Sequence, residues 1–319
     1  MNTLANAVSV QKVSKIFRGS REIKAVDNVS FDVQRGTIVG LLGANGAGKT
    51  TLIRMMTTLL SPNSGRIIIA GHDIAEEPEK VREYIGYAGQ DTERSLYYRL
   101  SPRENSKYFG WLSGLSAETA IERIEHFASQ VGMEEKLDQH FITLSGGEKQ
   151  VFVVMRALLH HPEIAFLDEP SKSLDVLTAR RIRRLLKEYV LEHSATVIIT
   201  SHNLKELEDV CDKLIFIDRG RKVFEGSSEE LKQIAFKSES VEIRGGPFED
   251  SVVKELMALG EVTSLSEGKE LRILSDKPYT TIRHVVDILE SHDVHAIVAM
   301  GEPTLEDAFA ELVSKRRDV

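Results

Sequence analysis

The run Gly43-Ala44-Asn45-Gly46-Ala47-Gly48-Lys49-Thr50 meets every fixed position of the pattern G-x-x-x-x-G-K-[ST]. Glycines let a backbone wrap closely around an anion and turn its N–H groups onto phosphate oxygens. A helix starting at Lys49 would aim its positive dipole end at the same point. In such a loop the lysine reaches the β- and γ-phosphates of a nucleotide and the threonine hydroxyl binds Mg²⁺. A second grouping is Ile164-Ala165-Phe166-Leu167-Asp168-Glu169, an apolar run ending abruptly in two carboxylates. Asp168 is suited to hold Mg²⁺ through water, and Glu169 to accept a proton from an attacking water.

Weaker candidates surround these two. His202 follows the apolar run 196–200, and Gln90 follows 84–88. At the carboxyl edge of a parallel sheet, His202 would contact a γ-phosphate and Gln90 a metal or its water. Gln90 reads equally well as a surface residue. Leu144-Ser145-Gly146-Gly147-Glu148 opens a helix. Capping chemistry alone makes Ser145 a simple helix cap, while the paired glycines also offer a second anion seat.

The order of elements would bring these residues to one edge. Residues 8–13 and 29–33 alternate as half-buried strands, and 37–42 is a continuous apolar run feeding the phosphate loop. A helix is expected over 49–59, with short strands at 66–70 and 84–88. Strands then vanish between 92 and 161, where 102–110, 117–131 and 148–159 read as helices. They return at 164–167, 196–200 and 213–218, with a helix over 179–191, which predicts a parallel sheet with crossover helices. A turn at Arg219-Gly220-Arg221 leads to a strand at 222–225.

Beyond a Ser/Glu/Lys stretch at 226–240, strands are expected at 241–244, 261–264, 271–274 and 294–298. Helices are expected at 250–259, 280–292 and 304–313. That order predicts a small ferredoxin-like α+β domain. The expected division is 1–238, with a helical part at about 92–161, and 239–319. The second part shows no catalytic grouping, and its role is expected to be dimerisation or regulation.

Bulk properties narrow the classes. The chain has 319 residues, 41% apolar and 28% charged, with a formal charge of −8. A nucleic-acid backbone is therefore not the expected partner. The single cysteine, Cys211, permits no internal disulfide and fits a reducing compartment. Residues 1–8 lack the features of a signal peptide, and no apolar run approaches the ~18–20 residues that span a bilayer.

With these motifs assembled, the chain resembles the ATP-binding cassette (ABC) ATPases over residues 8–226. The motifs fall in the family's order: the phosphate loop, Gln90, residues 144–148, residues 164–169, Ser173-Leu174-Asp175 and His202. The resemblance implies an α/β cassette: a P-loop core with a RecA-like parallel sheet, an N-terminal antiparallel part and a helical subdomain. It implies that Phe17 stacks on adenine, that residues 43–51, including Thr51, and Gln90 bind ATP, and that Thr50, Gln90 and Asp168 hold Mg²⁺. It assigns catalysis to Glu169, His202 and Lys49. Ser145, Gly146, Gly147, Glu148 and Asp175 would contact a nucleotide held by another subunit, either a second copy or a homologous ATPase. Such a head-to-tail pair drives a separate membrane permease.

Arg94-Ser95-Leu96-Tyr97-Tyr98-Arg99-Leu100 and residues 302–309 look like ATPases of ABC-2-type exporters. That implies a cytoplasmic chain peripheral on the inner face of the membrane. An importer subunit or an ATP-gated regulatory clamp are the alternatives. The segment 92–114 is the expected coupling surface, although Tyr97, Tyr98, Tyr108, Phe109 and Trp111 also read as helical core. Two residues depart from the family pattern, Lys172 for a small polar residue and Val151 for a basic one, both near the expected subunit interface.

Overall fold

The computed structural model describes residues 6–19, 22–91, 95–201, 204–235, 239–266, 269–275, 277–301, 305, 308 and 312. By compactness the chain divides into Met1–Ser227 and Ser228–Val319. The second unit thus takes in the helix at 228–235 that the sequence places ahead of 238/239.

Two sheets build the first unit. Strands β1 (Val8–Arg18), β2 (Glu22–Val33), β4 (Ser64–Ile69) and β5 (His72–Asp73) form an antiparallel sheet in the order β2-β1-β4-β5. Strands β3 (Ile38–Leu42), β6 (Ile85–Ala88), β7 (Ile164–Asp168), β8 (Thr196–Thr200), β9 (Lys213–Asp218) and β10 (Arg221–Gly226) form the second, ordered β10-β9-β3-β8-β7-β6. All its pairings are parallel except β9 with the edge strand β10. Every residue of β3, β7 and β8 is buried, as strands covered on both faces require.

Helix α1 (Lys49–Met56) follows β3 and buries Leu52, Ile53, Met55 and Met56 completely. Each such side chain contributes roughly 1.5–3 kcal/mol relative to exposure, so the start of α1 is held rigidly under the phosphate loop. Helices α3 (Pro102–Leu112), α4 (Ala117–Val131) and α5 (Gly146–Leu158) fill the expected helical stretch. Ser101 caps α3 in a box with Glu104, Ser116 caps α4, and Gly132 ends α4 in the left-handed conformation. Helix α6 (Val176–His193) connects β7 to β8.

Two short helices went unread in the sequence, α2 (Pro78–Tyr84) and α7 (Leu204–Val210). Each spans only seven residues, about two turns, and α2 buries Val81 alone, so neither is long enough for a helical period to stand out from its surroundings.

The second unit contains α8 (Ser228–Ala235), β11 (Glu239–Arg244), α9 (Asp250–Met257), β12 (Glu261–Ser266), β13 (Glu270–Ser275), α10 (Pro278–Ser291) and β14 (Ile297–Gly301). Its antiparallel sheet runs β12-β13-β11-β14, the ferredoxin-like arrangement. Val241, Ile243, Leu271 and Ile273 pack with Val252 and Leu256 of α9 and Val285 and Leu289 of α10. The last described strand lies at 297–301, not at 294–298. Val294 N–H bonds the carbonyl of Leu289 at 2.9 Å, closing the end of α10 and withdrawing that residue from the ladder. The helix expected over 304–313 falls largely outside the described residues.

Candidate functional site

Parallel pairing gathers the sequence motifs at one edge of the central sheet. Leu41 and Asp168 both lie opposite Thr200, one on each side of β8. The phosphate loop after β3 and the carboxylates at the end of β7 therefore emerge side by side. A cavity of about 480 Å³ opens there, lined by Ala25, residues 45–51, Gln90, Glu169 and Lys172.

Glycine is enforced in the loop by steric limits. Gly43 has φ 153°, and a Cβ on it would lie 2.2 Å from the Ile217 carbonyl oxygen. Gly48 has φ 107°, and its Cβ would lie 2.3 Å from the carbonyl oxygen of Ala25. Gly48 is also the N-cap of α1, and no side chain caps that helix. The positive end of α1 is thereby left facing the cavity, as an anion seat requires.

Lys49 is buried, and its Nζ donates to the carbonyls of Gly43 at 2.6 Å and Ala44 at 3.1 Å. Burial lowers its pKa, opposed by the nearby charges of Glu169 and Asp168. The ammonium thus stands inside the curl of the loop, between the backbone and the acidic pair.

Gln90 joins the metal candidates into one cluster. Its Nε2 lies 3.2 Å from Thr50 Oγ1 and 3.2 Å from Asp168 Oδ1. Asp168 is fully buried, yet its Oδ2 has no hydrogen-bond partner among the described residues. Such an oxygen costs roughly 1–3 kcal/mol of lost solvation unless something else satisfies it. The Asp168 carboxylate and the Thr50 hydroxyl, linked through the Gln90 amide, supply oxygen donors of the kind that Mg²⁺ prefers. The residues therefore fit a divalent cation.

Thr200 joins the acidic pair, which sequence reasoning missed. Its hydroxyl donates to Asp168 Oδ1 and accepts the backbone N–H of Glu169 at 3.0 Å. Its place at the end of an apolar strand, opposite the acidic pair, was the available signal. Glu169 is buried with φ 55°, a left-handed backbone held by the bond from its N–H to the Thr200 carbonyl at 3.1 Å. Strain of this kind persists only where surrounding contacts fix the residue.

The remaining candidates fall elsewhere or partly outside view. His202 lies outside the described residues, as do Arg94 and most of 302–309. Phe17 is exposed on β1, with Lys15 Nζ 5.7 Å from its ring centre, and it does not line the cavity. Ser145 and Glu148 form a complete capping box at the start of α5. Gly147 packs against the chain near Ser173, where an added Cβ would lie 2.8 Å from the carbonyl oxygen. Asp175 caps α6, accepting from the N–H groups of Leu177 and Thr178 at 3.0 Å each, and hydrogen bonding from Thr178 lowers its pKa.

Val151 is completely buried within α5. The aromatic segment divides. Tyr97 and Trp111 are exposed, whereas Phe109 lies beside the Arg156 guanidinium at 5.0 Å. Tyr87, Phe109, Leu112 and Arg156 line a groove of about 210 Å³.

Comparison with known proteins accounts for this arrangement. The family model described as ABC transporter matches residues 26–172. The ABC transporter ATP-binding protein NatA of Bacillus subtilis is 34% identical over 70% of this chain and 91% of its own length. The doxorubicin resistance ATP-binding protein DrrA of Mycobacterium tuberculosis is 32% identical over 97% of this chain and 94% of its own. A dimeric ATP-binding cassette solved in a post-hydrolysis state with ADP and Pi aligns with TM-score 0.64 and 26% identity, over 69% of this chain and 98% of that one. With the phosphate loop, the acidic pair and the cassette fold in one place, the chain belongs to the ABC transporter family, as an ATP-binding subunit that hydrolyses ATP.

Proposed function

We propose that the cavity at residues 45–51 holds the phosphates of ATP, and that the chain drives export through a separate membrane permease. The observation that carries the site is the linking of Thr50 and Asp168 through Gln90, in a cavity with Lys49 and Glu169, while the other Asp168 oxygen, Oδ2, is buried with no hydrogen-bond partner among the described residues. Thr50, Gln90 and Asp168 would hold Mg²⁺, which when bound offsets the charge of the β- and γ-phosphates.

Hydrolysis joins a water oxygen to the γ-phosphorus and breaks the bond to the bridging oxygen, giving ADP and phosphate. Glu169 takes the proton of the attacking water. Lys49 stabilises negative charge on the terminal phosphates, and the loop N–H groups fix their position. His202, directly after Ser201 at the end of β8, would touch the γ-phosphate. Phe17 would meet the adenine ring from the side of β1.

Two copies, or this chain and a homologous ATPase, would close head-to-tail so that residues 145–148 and Asp175 reach the partner's nucleotide. The groove along Phe109, Leu112 and Arg156, with exposed Tyr97 and Trp111, suits an amphipathic helix of an ABC-2-type permease. No described helix is long and apolar enough to cross a membrane; bound to its permease, the chain would sit peripherally on the inner face. Export is favoured over import by the names of its relatives, which include a Nod factor export protein of Cupriavidus metallidurans, 32% identical over 91% of this chain and 92% of its own.

The test is Glu169→Gln in the chain reconstituted with its permease. Turnover should fall by about 10²-fold or more, the size of general-base catalysis, while ATP still binds. Turnover at the parental rate would remove Glu169 as the base. The 239–319 part is assigned to dimerisation or regulation, and its deletion should change assembly or ATPase rate.

A further inference from the structure

We infer that Lys172 is a second cation for the terminal phosphate of ATP, making the site discriminate triphosphate from diphosphate. The inference rests on the reading of this cavity as the nucleotide site, and it goes beyond the family pattern, in which a small polar residue stands at this position.

The backbone fixes where this lysine stands. Glu169 adopts φ 55°, and the Lys172 N–H returns to the Glu169 carbonyl at 3.1 Å, closing a tight turn. Gln150 Nε2 donates to the same carbonyl at 3.4 Å. Ser173 follows at φ 63°, and the Leu174 N–H bonds the Ser171 carbonyl at 3.2 Å. The turn brings the Lys172 side chain back over Glu169, with Nζ 3.8 Å from Oε2.

That contact locates the charge. Glu169 borders the cavity, and so does Lys172, across from residues 45–51 of the phosphate loop. The ammonium is therefore at the reacting end of the cavity, beside the proposed base. With Asp168 behind the wall, the local charges are two cations, Lys49 and Lys172, and two carboxylates. Without Lys172 the set would carry one net negative charge against an incoming polyphosphate.

Lys172 differs from Lys49 in solvation. Its side chain is 53% exposed, on four flexible bonds, and its contact with Glu169, at 3.8 Å, is longer than a hydrogen bond. A γ-phosphate arriving in the cavity offers a denser negative charge than one carboxylate, so the ammonium would exchange partners. ADP lacks that group, and in its presence Lys172 stays with Glu169.

Calorimetric titration of the full-length chain tests this, using Mg²⁺ with ADP and Mg²⁺ with a non-hydrolysable imidodiphosphate analogue of ATP. In Lys172→Ser the analogue should bind about ten-fold more weakly, the weight of one charge-assisted hydrogen bond, while ADP affinity holds within about two-fold. Lys172→Arg should restore most of the analogue's affinity. Equal weakening of both nucleotides, no change in either, or faster turnover in Lys172→Ser would overturn the assignment, the last by marking Lys172 as a brake on Glu169. Lys49→Ala keeps the two readings apart. Loss of both nucleotides there upholds the cavity as the nucleotide site whatever Lys172 does.

Discussion

Two glycine-bearing helix starts stand in the first unit, and they are built in opposite ways. At α1 the N-cap is Gly48, no side chain closes the helix, and neighbouring backbone forbids a Cβ at Gly43 and Gly48. At α5 the N-cap is Ser145, whose hydroxyl receives the Glu148 N–H at 3.3 Å while Glu148 Oε2 receives the Ser145 N–H at 2.8 Å. A Cβ at Gly146 would meet nothing within 4 Å. The first start is left open, as an anion seat requires. The second is satisfied within its own chain, so any ligand there must come from outside and compete with, or add to, the box.

Substitution should separate the two starts sharply. Gly48→Ala places a methyl 2.3 Å from a carbonyl oxygen at a φ of 107°, and nucleotide binding in a calorimeter should be lost. Gly146→Ala should leave the melting temperature and the affinity of the single chain for ATP unchanged. If both alanines behave alike, the contrast is wrong.

A smaller effect is expected one strand away. Thr200→Val removes the hydroxyl that binds Asp168 Oδ1, leaving that buried oxygen with the Gln90 amide alone. Stability should drop by roughly 1–3 kcal/mol in denaturant unfolding, and the Mg²⁺ concentration that half-activates hydrolysis should rise. Unchanged Mg²⁺ dependence would mean that Asp168 does not face the metal.

The far end of α5 supplies a pH test of how firmly that helix is built in. His161 follows it, with its ring 4.1 Å from that of His193 between centres, and burial pushes its pKa down to about 4. An unfolded histidine titrates near ~6.5, so between these values the unfolded chain binds the extra proton. Stability is thus whole above about 6.5 and falls as the pH drops toward 4. Melting temperature against pH should show that slope, and His161→Asn should flatten it.

The mildest change concerns the box itself. Ser145→Ala should cost about 1 kcal/mol, typical of a lost N-cap, with ATP affinity of the single chain unaltered. A large loss of affinity would show that the α5 start serves its own chain's nucleotide.

Particular residues explain what could be read in advance. The phosphate loop was legible because its function depends on backbone conformation, and only glycine permits that conformation. Strands β3, β7 and β8 were legible as unbroken apolar runs. The ferredoxin-like order of the second unit was legible from alternating periods alone. Helices α2 and α7 were too short for a period, and β14 was displaced because Val294 closes α10. The complete burial of Val151 was not legible, because one residue's direction around a helix depends on what packs beside it.

By itself the sequence determined the chemistry on offer: a glycine loop with a lysine, two carboxylates after an apolar strand, and a capped helix. Those follow from local rules, since backbone freedom, side-chain charge and hydrophobic period act over a few residues. Tertiary structure alone decided that Thr200 would bind Asp168, that Gln90 would bridge Thr50 and Asp168, and that Lys172 would stand over Glu169. The Thr200 and Gln90 contacts join residues that the parallel sheet brings to one edge from distant parts of the chain, while that of Lys172 needs a strained turn that only the surrounding fold can hold.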